Sequence, residues 1–241
     1  MKLLIDVGNT SLKAALWREQ QATPVSMSDV PWQAITEVVY ACVGNSELLN
    51  DALTLAAKKS IPCFEAHVSK NLSGLSCAYE QVSNLGIDRW LALVAGFTLY
   101  PNRASIIVDA GTATTIDVLS GEGEHLGGWI LPGLDLMTRS LTQNTQRVFD
   151  DANTPFLNEL GKNTPNGLKN GALVATLGAI EQAKYQLKHV TGEQKPQILC
   201  AGGYGLLLQQ QISGSIFDSL LVMKGLNYWH ELSKNDEKQQ N

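Results

Sequence analysis

Two short stretches of the chain carry an acid and a glycine in the same order. Residues 3–10 read Leu-Leu-Ile-Asp-Val-Gly-Asn-Thr, and residues 106–113 read Ile-Ile-Val-Asp-Ala-Gly-Thr-Ala. An apolar run ending in aspartate predicts a buried strand that delivers a carboxylate at its tip. Gly8 and Gly111 then predict tight turns with no side chain to obstruct a phosphate. Backbone N–H groups and the hydroxyls of Thr10, Ser11, Thr112, Thr114 and Thr115 can donate to phosphate oxygens. The carboxylates of Asp6 and Asp109 would repel phosphate at contact, so they make sense as holders of an intervening cation. Either stretch alone also suits an ordinary turn with a solvated aspartate. Two copies, one in each half of the 241 residues, favour a duplicated phosphate-binding fold.

A third group lies between them, Gly86-Ile87-Asp88-Arg89. Asp88 can accept a proton from an attacking hydroxyl, and Arg89 can hold a carboxylate through a two-pronged contact. The plain alternative for these four residues is a favourable negative charge in the first turn of a helix followed by a surface cation.

These residues need strands and helices to hold them. The pattern predicts strands at 2–7, 12–17, 37–43 and 61–65, with a helix over 46–59 whose Leu48, Leu49, Ala52, Leu53 and Ala56 share a face. A helix over 87–99 follows and Pro101 ends it. The plan then repeats, with strands at 105–109, 114–119 and 125–131 and a helix over about 134–147. Residues 149–166 read as a polar loop, and a long helix is predicted over 168–189. A strand at 197–201, Gly202-Gly203, a helix to about Gln211, a strand near 218–223 and a helix over 224–232 complete the pattern. The charged tail after Ser233 reads as frayed. Strands precede helices in each half, which favours two related α/β lobes with a cleft between them: residues 1–104, residues 105–233 and a polar tail, 234–241.

Composition narrows the function. Apolar residues make up 44% of the chain, enough for a sizeable core, and the net charge is −5. An acidic chain without a basic run is not expected to bind nucleic acid or a membrane surface generally. No apolar stretch approaches the roughly 20 residues of a membrane span, and the acid at position 6 does not suit a secretory signal. Cys42, Cys63, Cys77 and Cys200 lack CxxC spacing and read as reduced thiols of a cytoplasmic protein. His67, His125, His189 and His230 form no zinc pattern. The chain has no GxSxG elbow, Walker loop or GxGxxG fingerprint, so any nucleotide must be held by another architecture.

The ordered set Asp6-Val7-Gly8-Asn9-Thr10, Gly86-Ile87-Asp88-Arg89-Trp90 and Asp109-Ala110-Gly111-Thr112-Ala113-Thr114 resembles type III pantothenate kinase, of the acetate and sugar kinase/Hsp70/actin superfamily. The likeness includes Tyr79, the segment from Gly127 to Gly133 and Asn163-Thr164. It implies two duplicated actin/ribonuclease H-like lobes, with mixed sheets flanked by helices. It also implies ATP-dependent phosphorylation of pantothenate at its 4′-hydroxyl, the first step of coenzyme A synthesis.

Carried over residue by residue, the resemblance makes Asp6, Val7, Gly8, Asn9, Thr10, Ser11, Leu12 and Lys13 the first phosphate loop, with Asp6 organising Mg²⁺ directly or through water. Asp88 becomes the general base. Gly86, Ile87, Asp88 and Arg89 line the pantothenate site with Tyr79 and Thr164, and Arg89 faces the substrate carboxylate. Asp109 holds K⁺ or NH₄⁺, and Thr112 contacts ATP. The resemblance further implies a homodimer, for which the helix over 168–189 is a candidate interface element. Competing readings are another small-metabolite kinase or phosphatase of the same superfamily, and a non-catalytic regulatory accessory protein. A chaperone-like ATPase is disfavoured by a chain too short for a peptide-binding domain.

Overall fold

A computed structural model of the chain describes residues 1–8, 12–44 and 46–240. These fall into two compact units, Met1–Pro101 with Leu220–Asn241, and Asn102–Ser219.

The first unit is built on β1 (Lys2–Val7). Strand β2 (Leu12–Arg18) runs antiparallel to it, and β3 (Gln21–Pro24) runs antiparallel to β2. On the other side β4 (Glu37–Cys42) and β5 (Cys63–Glu65) are parallel, giving the order β3-β2-β1-β4-β5. Leu3 and Ile5 of β1 pack with Val38 and with Leu49, Ala52 and Ala56 of α1 (Glu47–Lys58). Leu4, on the opposite face by the alternation of a strand, is equally buried. The central strand is therefore covered on both faces, which explains its unbroken apolar run. Helix α1 begins where the Ser46 side chain accepts from the Leu49 N–H at 3.3 Å, an N-cap that satisfies one of the free donors of the first turn. A small hairpin, β6 (Asn71–Leu72) and β7 (Leu75–Ser76), precedes α2 (Ile87–Leu99).

The second unit repeats this topology. Strands β8 (Ser105–Ala110), β9 (Ala113–Leu119) and β10 (His125–Pro132) form an antiparallel meander. After α3 (Leu134–Asn144) and α4 (Thr164–Thr191), the parallel strand β11 (Gln197–Ala201) pairs with β8. Helix α5 (Gly205–Gln211) then leads to β12 (Ile216–Phe217), for the order β10-β9-β8-β11-β12. Ile106, Val108 and Ile116 share a core with Leu173, Ile180 and Leu187 of α4. The same strand order in both units is the duplicated ribonuclease H-like plan of actin-like proteins, with mixed sheets flanked by helices.

Several expected boundaries shift. Helix α4 starts earlier than residue 168, because the Asn163 side chain accepts from the Asn166 N–H at 2.9 Å and Pro165 fits the first turn. It stops at Gly192, a left-handed residue at φ 79°. The last helix departs most from expectation. Residues 218–223 do not form a strand; α6 runs from Leu221 to Gln240. It packs on α2 and β1 of the first unit, burying Leu221, Met223, Leu226 and Trp229. Residues 221–233 therefore belong with the first unit and not with the second lobe. The tail after Ser233 is helical, and Lys234 donates to Glu37 at 2.6 Å.

Candidate active site

Asp6 is the penultimate residue of β1, opposite Lys13 on β2 and beside Ala41 on β4. Its carboxylate thus stands at the carboxyl end of the central strand, where open α/β sheets collect ligands. Nearby charge is negative: burial, followed by the charges of Glu65 and Asp6, pushes the Cys42 thiol up. Strand ends with this polarity suit a cation more than a bare anion. Gly8 and Leu12 are half-buried and Lys13 is exposed on β2. Val7 is buried in the core, so only its backbone can reach a ligand. Asn9, Thr10 and Ser11 lie outside the described residues.

Gly86 is the N-cap of α2. Asp88, exposed in the first turn, accepts from the Arg89 N–H through Oδ1 at 2.8 Å. A Cβ on residue 86 would lie 2.6 Å from that oxygen. Glycine at 86 therefore lets the carboxylate fold back over the helix start, where the helix dipole favours negative charge. Arg89 is only 5% exposed. Its Nη1 donates to the Tyr79 hydroxyl at 2.9 Å, and the guanidinium carbon lies 5.7 Å from the Tyr79 ring centroid. The bland reading of Arg89 as a surface cation is thereby overturned. The apolar run Trp90 to Ala95 is buried throughout, which fixes the helix that carries Asp88 and Arg89.

In the second unit Asp109 occupies the corresponding place on β8, and the Gly111 N–H donates to the Ala113 carbonyl at 2.9 Å to close the turn. The Gly202-Gly203 loop crosses this strand end. Gly202 sits at φ 81°, and a Cβ there would strike Asp109 Oδ1 and the Ala110 carbonyl. Glycine is required by both conformation and space. The result is a cradle around a carboxylate that a side chain at 202 would fill. Thr112 is exposed on the turn, and the buried Thr114 hydroxyl has no hydrogen-bond partner. Thr164 is exposed at the start of α4. Among the described residues no group of three or more His, Cys, Asp or Glu side chains could hold a metal ion. A divalent ion would accordingly be held largely by phosphate oxygens and water, with an acid such as Asp6 assisting.

Sequence reasoning missed several polar contacts that shape these surroundings. Lys169, 7% exposed, donates to the carbonyls of Asp151 at 3.0 Å and Thr154 at 2.8 Å, while Asn170 accepts from the Leu157 N–H and donates to the Glu159 carbonyl. Together they pin the loop that leads to Thr164. The Tyr204 hydroxyl donates to Asp135 at 2.6 Å, and burial together with that carboxylate pushes its pKa up to about 12. Asp117 and His125 pair at 3.0 Å inside the second unit. Their only signal in the sequence was an acid and a histidine on neighbouring predicted strands.

A duplicated fold whose first strand carries Asp-x-Gly at its end in each copy is that of the actin-like class. The model of the type III pantothenate kinase family matches residues 2–186. The chain belongs to that family. It is 70% identical over 238 residues to a type III pantothenate kinase of Pseudoalteromonas translucida, covering 99% of this chain and all of the relative. A second, from Pseudoalteromonas atlantica, is 34% identical, with 93% of this chain and 95% of the relative covered. Among solved structures, a Campylobacter jejuni chain provisionally assigned to the Baf family of transcriptional activators shares the fold, with a TM-score of 0.61 at 21% identity over 97% of this chain and 99% of that one.

Proposed function

We propose that this chain transfers the γ-phosphoryl group of ATP to the 4′-hydroxyl of pantothenate, the entry step to coenzyme A. Family membership supports the reaction, and the buried Arg89, held by Tyr79 beside the exposed Asp88, is the observation that carries it. Pantothenate is a carboxylate with a hydroxyl at its far end. It needs a cation at one end and a proton acceptor at the other.

Asp88 accepts the proton of the 4′-hydroxyl as the oxygen–phosphorus bond forms and the bond from the γ-phosphorus to ADP breaks. Phosphoryl transfer passes through a loose transition state, so proton removal is late and the value of Asp88 is mainly positional. Gly86 and Ile87 shape the turn that presents Asp88. Arg89, Tyr79 and Thr164 bind the acceptor. Residues 6–13 and Thr112 bind ATP through backbone and hydroxyl donors. Asp6 would help to hold Mg²⁺, and Asp109, in the cradle that Gly202 leaves open, would hold K⁺ or NH₄⁺. When bound, these cations would neutralise charge on the phosphate oxygens.

The protein acts in the cytoplasm, a reading supported by four free cysteines and by the absence, among the described residues, of a helix long and apolar enough to cross a membrane. It acts as a homodimer. Val174, Tyr185 and Val190 leave apolar surface exposed along α4 in support of this. An assay coupled to ADP release, run with pantothenate in K⁺ and in a K⁺-free buffer, tests the reaction and its cation together. Turnover in K⁺ that collapses without it is expected; no turnover in either buffer would refute the assignment.

A further inference from the structure

We propose that Lys70 is a positioning residue for the acceptor site, acting on Arg89 through Tyr79. The inference rests on the reading of Arg89 as the clamp for the acceptor carboxylate.

Lys70 stands at the base of the β6–β7 hairpin. Its carbonyl accepts from the Cys77 N–H at 2.9 Å, which closes the hairpin one pair beyond Asn71 and Ser76. Past Ser76 the chain leaves the small sheet and runs on through the carbonyls of Cys77, Ala78 and Tyr79. Lys70 Nζ supplies donors to two of them, Cys77 at 2.8 Å and Tyr79 at 3.1 Å. Bonds from an ammonium group to a carbonyl are charge-assisted and stronger than neutral ones. One cation thus fixes the backbone on both sides of Ala78 and sets where the Tyr79 side chain starts. The Tyr79 hydroxyl and ring in turn hold the guanidinium of Arg89 by a 2.9 Å bond and a 5.7 Å face contact. Displacing the Tyr79 backbone would misdirect both contacts together.

The other end of the hairpin is anchored separately. Ser73 and Gly74 form its two-residue turn with φ of 46° and 97°, the pair of positive values a type I′ turn requires. The Ser73 hydroxyl donates to Asp236 at 2.5 Å, and its N–H donates to the same carboxylate at 2.9 Å. This anchor ties the hairpin to α6 without touching the Cys77–Tyr79 segment. It offers an internal comparison between holding the hairpin and aiming Tyr79.

Full-length wild type, Lys70→Met, Lys70→Arg, Ser73→Ala and Arg89→Gln are compared by steady-state kinetics and thermal unfolding. Lys70→Met should raise KM for pantothenate about 10-fold, the scale of one lost charge-assisted bond, with kcat and KM for ATP within about twofold. Lys70→Arg should restore most of the loss. Ser73→Ala should lower the unfolding temperature and leave KM for pantothenate unchanged. Adding Lys70→Met to Arg89→Gln should raise KM no further, because both act through one contact. If Lys70→Met lowers only the unfolding temperature, or Ser73→Ala raises KM equally, Lys70 is structural and the proposal fails. If Arg89→Gln itself leaves KM for pantothenate unchanged, the reading of Arg89 fails instead.

Discussion

The guanidinium of Arg89 and the phenol of Tyr79 form one unit, joined by a 2.9 Å hydrogen bond and by the approach of the cation to the ring face. The two stand ten positions apart in the chain, yet their side chains meet within the first unit. A buried arginine must be offered hydrogen-bond acceptors, and the Tyr79 hydroxyl is one that carries no charge of its own. A bond to a neutral phenol leaves the guanidinium cationic.

Tyr79→Phe removes the hydroxyl acceptor and retains the ring. KM for pantothenate should rise about 10-fold, the lower end of the roughly 1.5–3 kcal/mol of a hydrogen bond to a charged group. Arg89→Gln should raise it by about 100-fold or more. Equal effects of the two variants on KM for pantothenate would show that the charge itself contributes nothing. Steady-state kinetics at saturating ATP distinguishes these outcomes.

Asp88→Asn preserves shape and removes the proton acceptor. Its kcat should fall by about 10²–10⁴, the usual range for a positioned acid or base. ATP should still bind with affinity near that of wild type, measured by calorimetry, since Asp88 lies on the acceptor turn. Turnover close to wild type would remove Asp88 from the role of base.

Gly202→Ala combines a left-handed backbone with a Cβ driven at Asp109 and the Ala110 carbonyl. A loss on the order of 1–3 kcal/mol of stability is expected from strain at such a position, together with a higher K⁺ concentration for half-maximal rate. Thermal unfolding and a K⁺ titration measure the two. An unchanged K⁺ response in a folded variant would separate Asp109 from the monovalent cation.

His230 of α6 is 2% exposed, and neither ring nitrogen has a hydrogen-bond partner. Burial, then the charges of Lys234 and Lys2, depress its pKa to about 4 against partial compensation from Glu37 and Glu231. The unfolded chain, with an ordinary histidine near 6.5, takes up the proton first as pH falls. The stabilisation is therefore complete above about pH 6.5 and is lost as pH drops towards 4, by roughly 3 kcal/mol in all. His230→Leu should flatten that part of the stability profile in denaturant titrations at pH 7, 5.5 and 4.5. A slope identical to wild type would assign the acid sensitivity to other groups.

Much of the scaffold that carries the candidate site was legible because its backbone is dictated locally. An apolar triplet ending in aspartate produces the same central strand in both units, and α2 begins and ends at Ile87 and Leu99 as its pattern implies. The β6–β7 hairpin escaped notice because each strand has two residues, too few for alternation to register. The end of α6 escaped because Lys234 and Asp236 read as solvated charges. Their partners, Glu37 and Ser73, lie far away in sequence. The partnership of Arg89 with Tyr79 was likewise invisible, since spacing alone does not tell a buried arginine from a surface one.

The most direct test is to incubate the protein with ATP, Mg²⁺, K⁺ and pantothenate and to identify the product by mass spectrometry and phosphorus NMR. One phosphate monoester at the 4′-oxygen, formed in equal amount to ADP, is the expected result. ADP release without that ester, or phosphate on another acceptor while pantothenate remains unmodified, would contradict it.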